Sequence, residues 1–275
     1  MGLWTEVADE VFQRRYNPFD VSVCVVRSTD GLLVVDTRST PREADELRAD
    51  LSSLSSLPVR CVVNTHAHFD HCFGNSRFVS ESAVLVPIFG HVKVPAHLVT
   101  YEVPMLAAWI DDEGSADVRD VVITPPTELV ETRARLDVGG RTVELIHLGR
   151  GHTDNDLLVH VPDSQAWLVG DLIEESGPPS YGPDSFPLDW PETVGALGDR
   201  LVDAATLVPG HGAAITPRFV AQQQIELAQV ADLIRRLHAA GVPEADALAE
   251  GRHDWPFPVE GLADAVDRGY LQLKS

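Results

Sequence analysis

The sequence predicts a mixed α/β (α+β) protein folded as a four-layer αββα sandwich. Three observations point there. Each half of the chain is rich in short β-type runs and then turns helical, which suggests two ββα-like layers set face to face. Helical periodicity is concentrated near residues 41–54 and from 217 onward, while the other apolar runs have strand length. The 275 residues, 44% hydrophobic and 23% charged, have the composition of a globular chain, and no internal repeat or low-complexity stretch breaks them. The expectation is one domain over 1–275, with a helical insert or lid at 91–120 and C-terminal helices over 217–270.

The elements follow in order. VSVCVVRS (21–28) and GLLVVDTR (31–38) are β-rich runs, and Asp30-Gly31 between them is a favourable hairpin pair. Thr40-Pro41 opens a helix, PREADELRADLSSL, with Thr as N-cap and Pro at the first turn. PVRCVVNT (58–65) reads as a buried strand, and AVLV within 78–86 as a further short one. Segment 91–120 changes character: Val94, Leu98, Tyr101, Met105, Leu106, Trp109 and Ile110 precede the acidic stretch DDEGSAD. VVIT, residues 127–137, TVELIHL, DLLVHV and AWLVG read as successive strands. Residues 174–190, rich in Gly, Pro, Ser and Asp, read as a long loop of the kind that serves function. ATLVPG (205–210) is a last strand. Thr216-Pro217 starts a long helix to Ala240, with Val220, Leu227, Val230, Ile234 and Leu237 at helical spacing. Two short helices finish the chain.

Composition excludes several functions. The 42 acids outnumber 21 basic residues, for a net charge of −21, so the chain repels phosphate backbones and a nucleic-acid partner is not expected. No apolar run approaches the roughly 20 residues of a membrane span, and the N-terminus lacks the apolar core of a signal peptide. Cys24, Cys61 and Cys72 are too few for a disulfide framework, which makes a reduced, cytoplasmic setting the expectation. Oligomeric state is left open.

The chemistry lies in the placement of the histidines. Of eleven, five fall at or just past predicted strand ends: His66, His68 and His71 in THAHFDH, His152 in GRGHTD, His211 in VPGHG. Asp70 and Asp171 share that placement. Imidazole and carboxylate suit zinc, iron or manganese. His66 and His68, two apart in an extended segment, point to one side. Asp70 and His71, being adjacent, point apart and can address a second ion, and Asp171 has two oxygens with which to bridge. His91, His97, His160, His238 and His253 are expected to be structural, as is His147 on its strand.

THAHFDH resembles the HxHxDH signature of the metallo-β-lactamase superfamily, and GHT, GD and GHG follow in that family's order, over roughly residues 20–215. The resemblance implies the αββα sandwich of that family, with a dinuclear centre at one edge of the inner sheets. It implies that His66, His68 and His152 hold one metal and Asp70, His71 and His211 the other, with Asp171 bridging. Two Zn2+ per chain are expected, Mn2+ or Fe2+ being alternatives, and a bridging hydroxide formed near neutral pH would attack a small-molecule substrate. Asp70 would also orient that hydroxide and shuttle a proton.

Within the superfamily, an Asp at 171 resembles glyoxalase II and lactone hydrolases more than dinuclear β-lactamases. Asn155 and Asp156 are swapped relative to the GHTxDN run of the latter, and Lys93 and Lys274 are the only lysines available to hold glutathione. The expected substrate is therefore a small ester, lactone, amide or sulfate ester. A β-lactam, a thioester as in glyoxalase II, and an iron-based redox role are the alternatives. Tyr101, Met105, Trp109, Tyr181, Phe186 and Trp190 are candidate pocket walls. Arg150 is expected to pair with an acid, and Cys72 to be a small buried residue.

Overall fold

The structure is a computed structural model, and it describes residues 3–79, 86–111 and 116–274. Two sheets face each other. The first has seven strands in sequential order: β1 (Thr5–Ala8), β2 (Val11–Tyr16), β3 (Val21–Arg27), β4 (Leu32–Val35), β5 (Val59–Val63), β6 (Ile88–His91) and β7 (Glu128–Val130). Strands β1 to β4 pair antiparallel, and β4 to β7 pair parallel. The second holds β8 (Arg133–Val138), β9 (Arg141–Ile146), β10 (Leu158–Val161), β11 (Ala166–Gly170) and β12 (Thr206–Pro209), antiparallel except for β11 against β12.

Nine α-helices are present among the described residues: α1 (Pro41–Leu54), α2 (Phe69–Cys72), α3 (Ser76–Val79), α4 (Val94–His97), α5 (Val103–Asp111), α6 (Trp190–Gly198), α7 (Pro217–Ala239), α8 (Glu244–Glu250) and α9 (Ala263–Lys274).

Strand alternation explains the four layers. In β3 and β4, Cys24, Val26, Leu33 and Val35 face the second sheet, where they meet Val143, Leu145, Val159 and Leu168. Their neighbours Val23, Val25, Leu32 and Val34 face outward onto Ala44, Leu47 and Leu51 of α1. In β11, Ala166 and Leu168 face the first sheet, while Trp167 and Val169 pack with α6 and α7 through Trp190, Val194, Leu227 and Val230. Strands covered on both faces read as continuous apolar runs, and that is how 21–28 and 31–35 read. The sheets are also tied at one edge: the Ser22 amide donates to Gly210 O at 2.6 Å, and the Gln13 side chain donates to Gly212 O at 2.8 Å.

Helix α1 is capped as expected, with the Thr40 side chain accepting from the Glu43 amide. Glu43 in turn accepts from the Ser39 amide at 3.1 Å. Within 91–120, where a helical insert or lid was expected, the described residues form α4, a π-helical turn (Leu98–Glu102) and α5.

Three local readings change, and a fourth cannot be read. The hairpin β1–β2 was not expected, because TEVA is short and largely exposed and VFQRRY buries the polar Gln13 and Arg14, which break its apolar pattern. VVIT (121–124) is irregular, and the strands are β7 and β8 on either side of the 131–132 turn. The end of the long loop turns helical at Trp190, where Pro191 opens α6. The strand expected at AVLV lies almost wholly outside the described residues.

Candidate metal centre

Each predicted site residue sits just beyond an element that fixes it. His66 and His68 follow β5. Asp70 and His71 lie on the single turn of α2. His152 comes from the loop after β9, Asp171 directly follows β11, and His211 follows β12. Gly210 permits the closest approach here, since a Cβ on it would lie 1.8 Å from Asp171 Oδ1.

The seven side chains converge. His66, His68, His152 and Asp171 each offer a ligand-type atom within 4.8 Å of the others, and Asp70, His71 and His211 do likewise. Asp171 stands between the sets: its Oδ2 is 3.7 Å from His66 Nε2, 3.6 Å from His152 Nε2 and 3.3 Å from His211 Nε2, and its Oδ1 is 3.2 Å from His71 Nε2. Asp70 Oδ2 lies 3.4 Å from His211 Nε2.

The outer nitrogens reveal which way the lone pairs point. His152 Nδ1 donates to Ser180 O at 3.0 Å, and His211 Nδ1 to Phe19 O at 2.7 Å. His71 Nδ1 lies 2.8 Å from Asp36 Oδ2. The Thr65 hydroxyl donates to Asp36, so its oxygen is free to accept from His66 Nδ1 at 3.1 Å. His68 is turned the other way, with Nε2 on Asp184 Oδ2 at 2.9 Å and Nδ1 inward. A neutral imidazole has one N–H, and in each ring the outer bond takes it. Every inner nitrogen then presents a lone pair, with His68 Nδ1 only 2.9 Å from His152 Nε2 and His71 Nε2 3.3 Å from His211 Nε2.

Facing lone pairs at such distances require a positive charge between them. In the chain alone a proton supplies it. Burial opposes the charge on His68, but Asp184 outweighs it and lifts the pKa to about 9. His211, also opposed by burial, is raised to about 10 by Asp171. Burial also opposes the charge on His71, the neighbour of His211, but Asp171 and Asp70 raise it well above the usual imidazole range, whereas burial and the neighbouring His68 push His152 down to about 4. Burial and His71 hold His66 well below the usual imidazole range. His66 Nε2 and Asp171 Oδ1 are buried with no hydrogen-bond partner. Unpartnered buried atoms, inward lone pairs and anchored outer nitrogens are what a divalent cation needs from its donors, so these residues fit a metal pair.

Sequence reasoning missed the anchors. Asp36 holds both Thr65 (2.8 Å to the amide) and His71, at a left-handed φ of 66°. Its position, an acid just past a buried strand, is the signal that singled out Asp171 and could have found it. Asp184 lies in the long loop, where no periodicity marks it. His97 was read as structural, yet its Nε2 is buried without a partner.

Other expectations resolve locally. His147 stacks on His91 and reaches Asp156 O at 2.8 Å. Asp156 accepts from Thr153 beside His152, and Asp154 pairs with Lys93 at 3.1 Å. Asn155 Nδ2 is engaged with His97 and Asp154. Arg150 pairs with Asp189 and lies over Phe186. The Cys72 thiol is buried, donates to Ala67 O, and has its pKa pushed far up by burial. Trp190 and Tyr181 are buried against each other, so they support the loop rather than line a cleft. Trp109 does meet Phe69, beside the ligand-type residues, at 4.7 Å.

The fold agrees with that of known proteins. The metallo-beta-lactamase superfamily matches residues 16–211, and the chain belongs to that family. Among curated relatives, the linear primary-alkylsulfatase of Pseudomonas sp. (strain ATCC 19151) is 21% identical over 243 residues, 78% of this chain. The type 2 metallo-beta-lactamase of Bacillus cereus is 23% identical over 190 residues, 68% of this chain. The matched regions span 45% and 65% of those two proteins. Both relatives are metallo-hydrolases of the superfamily. Among solved structures, the stereoselective inverting sec-alkylsulfatase from Pseudomonas sp. superposes with a TM-score of 0.78 at 17% identity, covering 98% of this chain and 50% of that one. A metallo-beta-lactamase from Pontibacter korlensis gives 0.67 at 18% identity, covering 83% and 99%.

Proposed function

We propose that the chain is a hydrolase dependent on a pair of divalent cations, zinc first and Mn2+ or Fe2+ as alternatives. His66, His68 and His152 would hold one cation, Asp70, His71 and His211 the other, and Asp171 would bridge. The observation that carries this reading is the set of inward-facing ring nitrogens, each ring fixed by an outer hydrogen bond, around His66 Nε2 and Asp171 Oδ1, which are buried without a partner. When bound, the cations would supply Lewis acidity, which polarises a substrate oxygen and acidifies water near neutral pH.

The chain's own residues do the rest. Asp70 turns Oδ2 to His211 and His71. Its other oxygen, Oδ1, would orient the attacking water and hold the proton it releases. Asp36, Phe19 O and Ser180 O keep three rings from turning, so the donors need little reorganisation as charge develops. Asn155 is spent on His97 and Asp154 and is not free to bind an oxyanion. That weighs against β-lactam hydrolysis as the main activity, although β-lactamases are among the relatives.

The substrate is proposed to be a small, uncharged or modestly charged ester, lactone, amide or sulfate ester. The dense carboxylates around the centre repel polyanions, and a curated relative is named as an alkylsulfatase. The test is a hydrolysis screen over lactones, thioesters, β-lactams, phosphodiesters and sulfate esters with metal-loaded protein, using His66→Ala as blank. Chelation should abolish turnover, and Zn2+ or Mn2+ should restore it. Turnover that persists in verified metal-free protein, or in the His66→Ala variant, overturns the proposal.

A further inference from the structure

Behind His68, on the side away from the seven-residue set, the insert brings together a second group of donors. His97, Glu102 and His68 offer ligand-type atoms within 4.8 Å of one another. The backbone is arranged for it. In an α-helix, residues five apart sit about 140° apart around the axis. The turn Leu98–Glu102 is π-helical, with the Val103 amide donating to Leu98 O, and five residues then bring the chain back to the same side. His97 and Glu102 both point inward as a result, with 5% and 3% of their surface exposed.

Neither is satisfied there. His97 Nε2 and Glu102 Oε2 are buried without a hydrogen-bond partner. His97 Nε2 is 3.7 Å from Glu102 Oε1 and 3.5 Å from Asp184 Oδ2. Those separations exceed the ~2.7–3.2 Å of a sound hydrogen bond. They match the edge, about 3.4 Å, of a tetrahedron whose donors lie ~2.1 Å from a central ion. His97 Nδ1 lies 3.1 Å from the Asn155 amide. It is Asn155 Nδ2 that faces His97 Nδ1 and also reaches Asp154; a cation at Nε2 would need that amide turned, so that its oxygen, now without a partner, accepts from Nδ1–H and leaves the Nε2 lone pair free. A cavity of about 270 Å3, lined by Lys93, Tyr101, Asp154 and Phe186, opens onto His97 and Asp184 and gives an ion a way in.

We propose that His97, Glu102 and Asp184 form a third divalent-cation site, distinct from the pair at the centre, taking a transition ion such as Zn2+ with one nitrogen and two carboxylate donors. Such an ion ties the insert to the 174–190 loop, and through Asp184 it steadies the ring of His68. The site stands on its own donors and does not depend on the hydrolase reading.

The experiment is metal counting on zinc-loaded, exhaustively dialysed protein by plasma mass spectrometry, with a zinc-edge anomalous map from crystals. Wild type should hold three ions per chain, and His97→Ala and the near-isosteric Glu102→Gln should each hold two. The map should place a peak beside His97 Nε2. Two ions in wild type, or three in both variants, overturns the third site. An ion lost with His97→Ala while His66→Ala loses none keeps this site and removes the central pair instead.

Discussion

Asp36 sits at 1% exposure beneath His71, in a backbone conformation that non-glycine residues seldom adopt. Its two oxygens hold the Thr65 amide, the Thr65 hydroxyl and His71 Nδ1. Through Thr65 it also bears on His66, so one carboxylate orients a ring in each half of the centre. Asp36→Asn keeps the shape and removes the charge. It should weaken zinc affinity by about 10–100-fold, the usual cost of losing an outer partner of a metal ligand, with the circular dichroism spectrum unchanged. Competition against a chromophoric chelator measures this; unchanged affinity would show that the ring needs no such anchor. At this scale the convergence of the seven residues was legible, because His and Asp just past apolar strands are rare enough to be noticed. Asp184, Ser180 and Phe19 were not. The last two act through backbone carbonyls, which carry no side-chain signature.

Elements were legible where their own chemistry defines them. Thr40-Pro41 followed by Glu43 marks the start of α1 by capping alone, and the structure has that cap. Thr40→Ala should cost about 1 kcal/mol of unfolding free energy by denaturant titration. Zinc stoichiometry should be untouched, because α1 meets the outer face of the first sheet and not the centre. The β1–β2 hairpin was missed because β1 is short and largely exposed, while β2 carries buried polar residues, Gln13 and Arg14, that interrupt its apolar run. VVIT misled for the opposite reason: it is β-branched, but the neighbouring segments took the pairing positions, and propensity yields to tertiary context.

For the whole molecule, the proposed centre would couple metal, proton and fold through its histidines. His68 and His211 have raised pKa values, about 9 and about 10, in the metal-free chain. A group raised on folding stabilises fully below its unfolded pKa, about 6.5, and that contribution disappears as pH climbs through the folded value. Cations held by the same nitrogens would compete with those protons and bind better as they leave. The gap in melting temperature between zinc-loaded and metal-free protein should therefore widen from about pH 6 to about pH 8.5. Differential scanning calorimetry at fixed zinc reads it, and a gap that is flat or shrinks contradicts the coupling. The four-layer arrangement was legible at this scale from the order of strand-rich and helical stretches. How the insert meets the centre was not, since a π-turn leaves no mark in hydropathy.

The central claim is that seven side chains from four separate stretches grip two cations. An anomalous-difference map at the zinc edge, from crystals of the loaded protein, tests it most directly. Two peaks are predicted, one among His66, His68 and His152 and one among Asp70, His71 and His211, with Asp171 touching both. A map without density at those two positions contradicts the account.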